Sequence, residues 1–377
     1  MSIDEQSIIP KYYQLKELLI QHIRQNDLQP GSLLPSENEL IGIYQVSRNT
    51  VRQAFSSLES DGLVYKIRGK GTFYKGETSA AEARSNLIGV ITPVTYESIY
   101  LDIINGIESH AHDRKFQIVL SNSMANPQKE REVLEAMLKT GIDGLIIEPA
   151  LSGRIRPDSY IFRTLYTIPI PVVVIDCCIE DLRRPCLTLD DEEYGYRAAR
   201  HLIDMGHRRI AYVYKNGVLA AELRGQGYER ALAEANILKD ENLVAGFEES
   251  EDRRGSKPSA KITARLMESE EPPTAIFYFN DEYAVDGIHA LRDAGIDVPG
   301  DVSVIGVDDS YYATVAGMSL TTLAHPKKDM GTRAAELLID EIENPGTSAT
   351  GCTLIEPTLV VRDTVSPTKG TVPSSGD

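Results

Sequence analysis

Two sets of side chains in this 377-residue chain have the types and placement to do chemistry. The first is rich in cations and amides: Arg48, Asn49 and Arg52 fall within one short stretch, and Arg68-Gly-Lys-Gly71 follows it. Guanidinium, ammonium and amide groups at that density can hydrogen-bond base edges and phosphates. The second set comprises Tyr96, Ser98 and Tyr100, Glu148, Asp176, Lys215 and Asn216, Asn280 with Asp281, and Asp308 with Asp309, each just after a β-prone run. Carboxylates and amides pair with vicinal hydroxyls, arginine supplies a forked donor, and a tyrosine ring can lie on an apolar sugar face. That set suits a polyhydroxylated small molecule. Catalysis finds no candidate nucleophile, since there is no Gly-x-Ser-x-Gly elbow, no Ser-His-Asp set and no cofactor fingerprint. The four cysteines fit neither a disulfide framework nor a zinc spacing, so ordinary buried thiols are expected, with no metal and no cofactor.

Local patterns indicate how the first set is positioned. Ser36 followed by Glu39 has the capping-box spacing, which starts a short helix running to Tyr44. Ser47 is placed to cap a second helix, whose apolar Val51, Ala54, Phe55 and Leu58 recur at helical spacing. Arg48, Asn49 and Arg52 then lie on the opposite face. Two helices joined by a tight turn, the second offering Arg and Asn early, form a helix-turn-helix suited to the major groove. Glu37 and Glu39 are explained as first-turn carboxylates favoured by the helix dipole. Ahead of this unit, Tyr12, Leu15, Leu18, Leu19 and Ile23 mark an amphipathic helix starting near Pro10. Behind it, Gly62 supplies a left-handed cap, and Leu63 to Tyr65 and Thr72 to Tyr74 flank the Arg68-Gly-Lys-Gly71 tip as a hairpin. A glycine-rich tip lets the backbone approach a phosphate or enter the minor groove.

The second set requires a different scaffold. Residues 76–86 carry no large apolar side chain and are expected to link a domain over 1–75 to one over 87–365, with 366–377 a disordered tail. From Leu87, β-type runs alternate with helical stretches: 87–92, 116–121, 143–148, 171–176, 209–214, 275–279 and 302–307 for strands, and 98–113, 127–140, 191–205, 222–236, 256–269, 281–294 and 326–343 for helices. Such alternation means parallel sheets covered on both faces, and about seven strands at this length favour two lobes. In open parallel sheets ligands bind beyond the carboxyl ends of strands, where the second set falls.

A formal charge of −17 argues at first against a nucleic-acid partner. The average hides a split. Residues 1–75 hold nine Lys or Arg against eight Asp or Glu, a balance of +1 that leaves −18 on the rest. No apolar run is long enough to span a membrane, and the first thirty residues lack the apolar core of a signal peptide. A cytoplasmic location with no membrane partner is expected.

Three motifs in order, Leu28-Gln-Pro-Gly31 through Leu40, Val46-Ser-Arg-Asn-Thr-Val-Arg52 and Gly69-Lys-Gly-Thr-Phe73, resemble the winged helix-turn-helix of GntR-type bacterial regulators. That resemblance implies that Asn38, Arg48, Asn49, Thr50 and Arg52 meet the operator and that Arg68, Gly69 and Lys70 form the wing. Gly141-Ile-Asp-Gly-Leu-Ile-Ile147, the run from His201 to Ala211, Arg224-Gly-Gln-Gly-Tyr228 and the run from Asp301 to Asp309 resemble the effector-binding domain of LacI/GalR-type regulators, which is similar to two-lobed periplasmic sugar-binding proteins. That resemblance implies that Asp176, Arg224, Asn280 and Asp308 hold the effector. The combined organisation resembles the arabinose repressor group. It implies a repressor of carbohydrate-utilisation genes, binding a pseudo-palindromic double-stranded operator as a homodimer and released by a small sugar such as the pentose L-arabinose. An activator or corepressor-dependent regulator stands as the alternative within this class, and a sugar-binding protein or enzyme without a DNA role as the alternative outside it.

Overall fold

The computed structural model describes residues 3–4, 7, 9–60, 62–76, 84–94, 98–150, 155–179, 181–248, 250–252, 256–315, 317, 319–346 and 351–368. At the N-terminus, helices α1 (Lys11–Gln25), α2 (Glu37–Tyr44) and α3 (Arg48–Ser60) precede the antiparallel hairpin β1 (Val64–Ile67) and β2 (Gly71–Tyr74). Leu15 and Leu19, Leu40, Val51, Ala54 and Leu58, and Val64 with Tyr74 close one core, so every element buries its apolar stripe against the others. The capping box forms in full: the Ser36 amide donates to Glu39 Oε2 at 2.7 Å and the Glu39 amide to Ser36 Oγ at 3.3 Å. Between α2 and α3, Gln45 takes a left-handed conformation and Val46 is buried, which makes the turn sharp. The expected caps form: Ser47 Oγ accepts from the Thr50 amide, and Gly62 sits at φ +73°.

The rest of the described chain builds two six-stranded sheets. The first holds β3 (Leu87–Thr92), β4 (Gln117–Asn122), β5 (Gly144–Ile147), β6 (Val172–Ile175), β7 (Pro185–Leu189) and β13 (Gly351–Ile355), all parallel, in the order β13-β7-β6-β5-β3-β4. The second holds β8 (Ile210–Lys215), β9 (Val244–Phe247), β10 (Ala275–Tyr278), β11 (Ser303–Asp308), β12 (Thr321–Ala324) and β14 (Thr358–Val360), in the order β14-β12-β11-β10-β8-β9, with only the β12–β14 pair antiparallel. Helices α4 (Ser98–Asp113), α5 (Pro127–Lys139), α6 (Tyr160–Thr167) and α11 (Lys327–Glu343) pack on the first sheet. Helices α7 (Asp191–Asp204), α8 (Leu219–Glu234), α9 (Pro258–Met267) and α10 (Asp281–Asp293) pack on the second. Strands buried on both faces read as continuous apolar runs, which is why Val172–Ile175 and Ala275–Tyr278 stood out in the sequence.

The chain passes between the lobes three times: after β7 through Asp190, after β12 through His325 and Pro326, and after β13 through Glu356 and Pro357. The Asp190 amide donates to the Ile355 carbonyl, tying two of these connectors together. Any change in the angle between the lobes has to be taken up at these residues.

Four expectations require correction. Among the described residues the two-lobed body has twelve strands, not seven. The five extra ones, β7, β9, β12, β13 and β14, are three to five residues long, carry Pro, Gly or Thr, and owe their form to ladder bonds from neighbours rather than to their own apolar content. Helix α6 was also unforeseen, because Tyr160-Ile-Phe-Arg-Thr-Leu-Tyr-Thr167 spans barely two turns. Residues 366 to 368, placed in the expected loose tail, are tied to the second lobe: the Ser366 amide donates to Ser303 Oγ and the Thr368 amide to the Met205 carbonyl. Finally, only Cys177 and Cys186 are buried thiols; Cys178 lies in a loop and Cys352 on the edge strand β13, where both are exposed.

Candidate functional site

The exposed face of α3 and the hairpin tip present the cations. Arg48, Asn49 and Arg52 are exposed on the side opposite Val51 and Leu58, while Thr50 is half-buried with its hydroxyl 2.8 Å from Ser47 Oγ. Asn38 on α2 accepts from Arg48 Nη2 at 2.9 Å, so the two helices present one continuous polar surface. Glu37, assigned from sequence to the helix dipole, has a second role. Its carboxylate receives Arg52 Nε at 3.2 Å and Lys66 Nζ at 3.1 Å; burial is the largest single influence and pushes its pKa up, but Lys66 and Arg52 together outweigh it and hold the carboxylate below the ordinary range. The carboxylate thus bridges the recognition helix to the hairpin and pre-positions both cations. Arg68, Gly69 and Lys70 are exposed at the tip, with Gly69 at φ +78°. Only glycine takes that conformation without strain, so the turn can be tight enough to project both cations.

The second set converges on one cavity of about 930 Å³ between the lobes. Glu148 follows β5, Asp176 follows β6, Asn280 follows β10, Asp308 ends β11 and Tyr100 lies in α4; all line the cavity together with Arg224 of α8. Tyr96 falls outside the described residues. Arg224 enters because α7 and α8 cross at glycines: a Cβ on Gly195 would sit 1.9 Å from the Arg224 carbonyl oxygen, and one on Gly227 1.9 Å from that of Glu192. The guanidinium is 5% exposed, donates to Asp191 Oδ1 at 2.8 Å and to the Phe279 carbonyl, and so bridges the start of α7 to the end of β10. Tyr100 donates to Glu148 Oε1 at 3.2 Å, and Asn280 caps α10 by accepting from the Tyr283 amide. Asp309, the neighbour of Asp308, does structural work instead: it pairs with Arg362 at 2.6 Å.

The cavity's carboxylates do not share one electrostatic state. Asp308 is pushed up by burial, although Arg224, His325 and Lys327 pull the other way. Asp191 is likewise raised by burial against the attraction of Arg224. Asp176 goes down: burial opposes its charge, but His325, with Nε2 at 3.2 Å, and Arg224 outweigh it. Behind the wall, Asp281 is raised to about 8 by burial and by Asp308, while Thr322 and the Ser310 amide partly offset this. A cavity with charged acceptors, a fixed guanidinium and a protonatable carboxyl can pair with a ring of hydroxyls in both donor and acceptor directions.

Sequence inspection missed Asp191 and His325. Asp191 looked like one more acidic residue in a helix first turn, and its burial follows only from the α7–α8 crossing. His325 sits on an inter-lobe connector, where no periodicity marks it. His207, just past the end of α7, packs as a polar group between strands, with Nδ1 3.0 Å from Thr274 Oγ1 and Nε2 3.0 Å from Ser303 Oγ.

A winged head with exposed cations, joined to a two-lobed cavity lined by hydroxyl-matching groups, defines a ligand-responsive DNA-binding regulator. The comparisons with known proteins agree. Residues 11–73 match the model of the bacterial regulatory proteins of the gntR family, and residues 199–365 that of the periplasmic binding protein-like domain. The chain is 34% identical over 360 residues to the arabinose metabolism transcriptional repressor of Geobacillus stearothermophilus, covering 95% of this chain and 98% of that protein. To the repressor of the same description from Halalkalibacterium halodurans it is 33% identical, covering 95% and 97%. A LacI family transcriptional regulator from Enterococcus faecium, solved with bound ribose, superposes with a TM-score of 0.65 at 28% identity, covering 75% of this chain and all of that one. The chain belongs to the family of transcription repressors that carry a GntR-type head on a LacI-type, periplasmic-binding-protein-like body, and it is a DNA-binding, sugar-responsive repressor. No helix among the described residues is long and apolar enough to cross a membrane.

Proposed function

We propose that this repressor acts in the cytoplasm as a homodimer on a pseudo-palindromic operator and is released by a small sugar held between its lobes. The observation that carries this reading is the convergence of Asp176, Arg224, Asn280 and Asp308, from both lobes and distant in sequence, on one cavity. Tyr100 and Glu148 complete the sugar site from the first lobe, with Tyr96 as a further contact. The relatives' description names arabinose metabolism, which makes the pentose L-arabinose the first candidate ligand. Residues 1–75 are the DNA-binding domain, 76–86 the linker and 87–365 the effector and dimerisation domain. Asn38, Arg48, Asn49, Thr50 and Arg52 read the major groove, and Arg68, Gly69 and Lys70 hold the wing on the backbone. Two heads on one dimer raise effective affinity, because one small head makes few phosphate contacts.

Sugar binds the closed lobes better than the open ones, and closure moves the heads away from operator spacing. A differential affinity of about 3 kcal/mol suffices for roughly a hundredfold loss of operator affinity. The protein is a binding switch and not an enzyme, so the bound sugar is recovered unchanged. A thermal-shift screen of pentoses, hexoses and disaccharides identifies the ligand, because a ligand of the native state raises the midpoint. A mobility-shift assay with that sugar then tests release. Operator binding that ignores every sugar raising the midpoint would falsify the reading, and tighter binding would make the sugar a corepressor.

A further inference from the structure

Cys178, Cys186 and Cys352 are distant in sequence, and the first sheet gathers them. β7 and β13 run parallel with Cys186 opposite Cys352, so both side chains stand on the same face of the sheet. After β6 the chain turns at Asp176, in a left-handed conformation, and doubles back over that face, where Cys177, Ile179 and Leu182 join Cys186 in one buried cluster. Cys178 comes to rest over the pair. The three sulfur atoms lie within 4.8 Å of one another.

That spacing matches a single coordinated ion. Metal–sulfur bonds of about 2.3 Å in a trigonal arrangement place the sulfurs roughly 4 Å apart, a distance small rotations of three thiols can reach. Among the described residues the donor set is sulfur alone, with no carboxylate or imidazole joining it. All-sulfur sites favour soft ions over magnesium, calcium or manganese. Cys178 and Cys352 face solvent while Cys186 is buried, so an ion has an entry path and a fixed donor at the floor. Sequence spacing could not reveal this, because no two of the three share a motif.

We propose that Cys178, Cys186 and Cys352 bind one soft, thiophilic metal ion of the Cu(I) class at the rim of the inter-lobe cavity. Binding breaks three S–H bonds, releases three protons to solvent and forms three sulfur–metal bonds, with no change of oxidation state. The placement gives the ion leverage on the switch. Cys178 itself lines the cavity two residues after Asp176, β7 leads into the Asp190 connector, and β13 leads into the Glu356-Pro357 connector. One ion therefore ties together a cavity wall and the roots of two of the three inter-lobe connectors.

The test uses the full-length, fully reduced protein under anaerobic conditions, titrated with Cu(I) and separately with Cd(II). The expected result is an ultraviolet thiolate-to-metal charge-transfer band that saturates at one equivalent, accompanied by a rise in the thermal midpoint. Cys178→Ser and Cys352→Ser, at exposed positions that tolerate the change, each abolish the band and the rise. Cys177→Ser, whose sulfur is not one of the three gathered donors, leaves both intact. Absence of the band in the reduced protein, saturation at two or more equivalents, or persistence of the band in Cys178→Ser or Cys352→Ser would each overturn the proposal.

Discussion

The cationic face of the head and the cavity of the body both work by charge, in opposite solvent regimes. In the head, Arg52 and Lys66 are more than half exposed and share one carboxylate, Glu37. In the cavity wall, Arg224 and Asp191 are paired with both side chains less than a tenth exposed. Exposed pairs contribute little to stability, so the head's cations can leave Glu37 at small cost. Buried charges depend on their partners, and removing one strands the other. The head is therefore a surface whose mutations change affinity, and the cavity a structure whose mutations change both response and fold.

The largest expected effect tests that contrast directly. Arg224→Ala leaves Asp191 unpaired and should cost about 3–5 kcal/mol of stability in chemical denaturation, along with the sugar response. Asp308→Ala, which leaves the Arg224–Asp191 pair in place, should cost less stability than Arg224→Ala and spare operator binding while abolishing release. A normal sugar response in both variants would sink the cavity assignment. Next comes Arg52→Ala, with a loss of about 1–3 kcal/mol in operator affinity, relaxed preference at one base position and an unchanged melting midpoint. Lys70→Ala should weaken all DNA sequences alike and lower the salt slope of binding by about 1. An equal loss of sequence preference in both variants would erase the distinction between helix and wing.

A separate effect concerns pH. Asp281 binds its proton more tightly folded, its pKa pushed by burial and by Asp308 from the ordinary 3.8 to about 8. Its contribution to stability is thus fully present below the unfolded value and is lost as pH rises towards 8. Asp281→Asn should flatten that part of the midpoint-against-pH curve between pH 4 and 8, relative to the parent protein. A curve with the parent's slope would show that Asp308 or another neighbour carries the titration.

The two regions also differed in how far they could be read from the sequence. The head is made of contiguous signals: Ser36 with Glu39, Ser47 before an apolar stripe, and glycines around Lys70 all act within a few residues of themselves. The seven expected strands were equally plain, because those buried on both faces, such as Val172–Ile175 and Ala275–Tyr278, must be apolar throughout. Strand ends pointed to Glu148, Asp176, Asn280 and Asp308, since a parallel sheet leaves its ligand site beyond its carboxyl edge. Arg224 came through resemblance alone. Asp191, His325 and the pairing role of Glu37 stayed hidden, because each depends on a partner at least fifteen positions away.

By itself, then, the sequence determined the winged head, the alternation that builds two parallel sheets and the polar strand ends, because caps, periodicity and burial on both faces are local demands on the chain. Only the tertiary structure decided which charges are buried together, where the lobes hinge and that three scattered cysteines meet. Those outcomes follow from helix crossings such as Gly195 with Gly227 and from strand order in the sheet, which no short window of residues encodes.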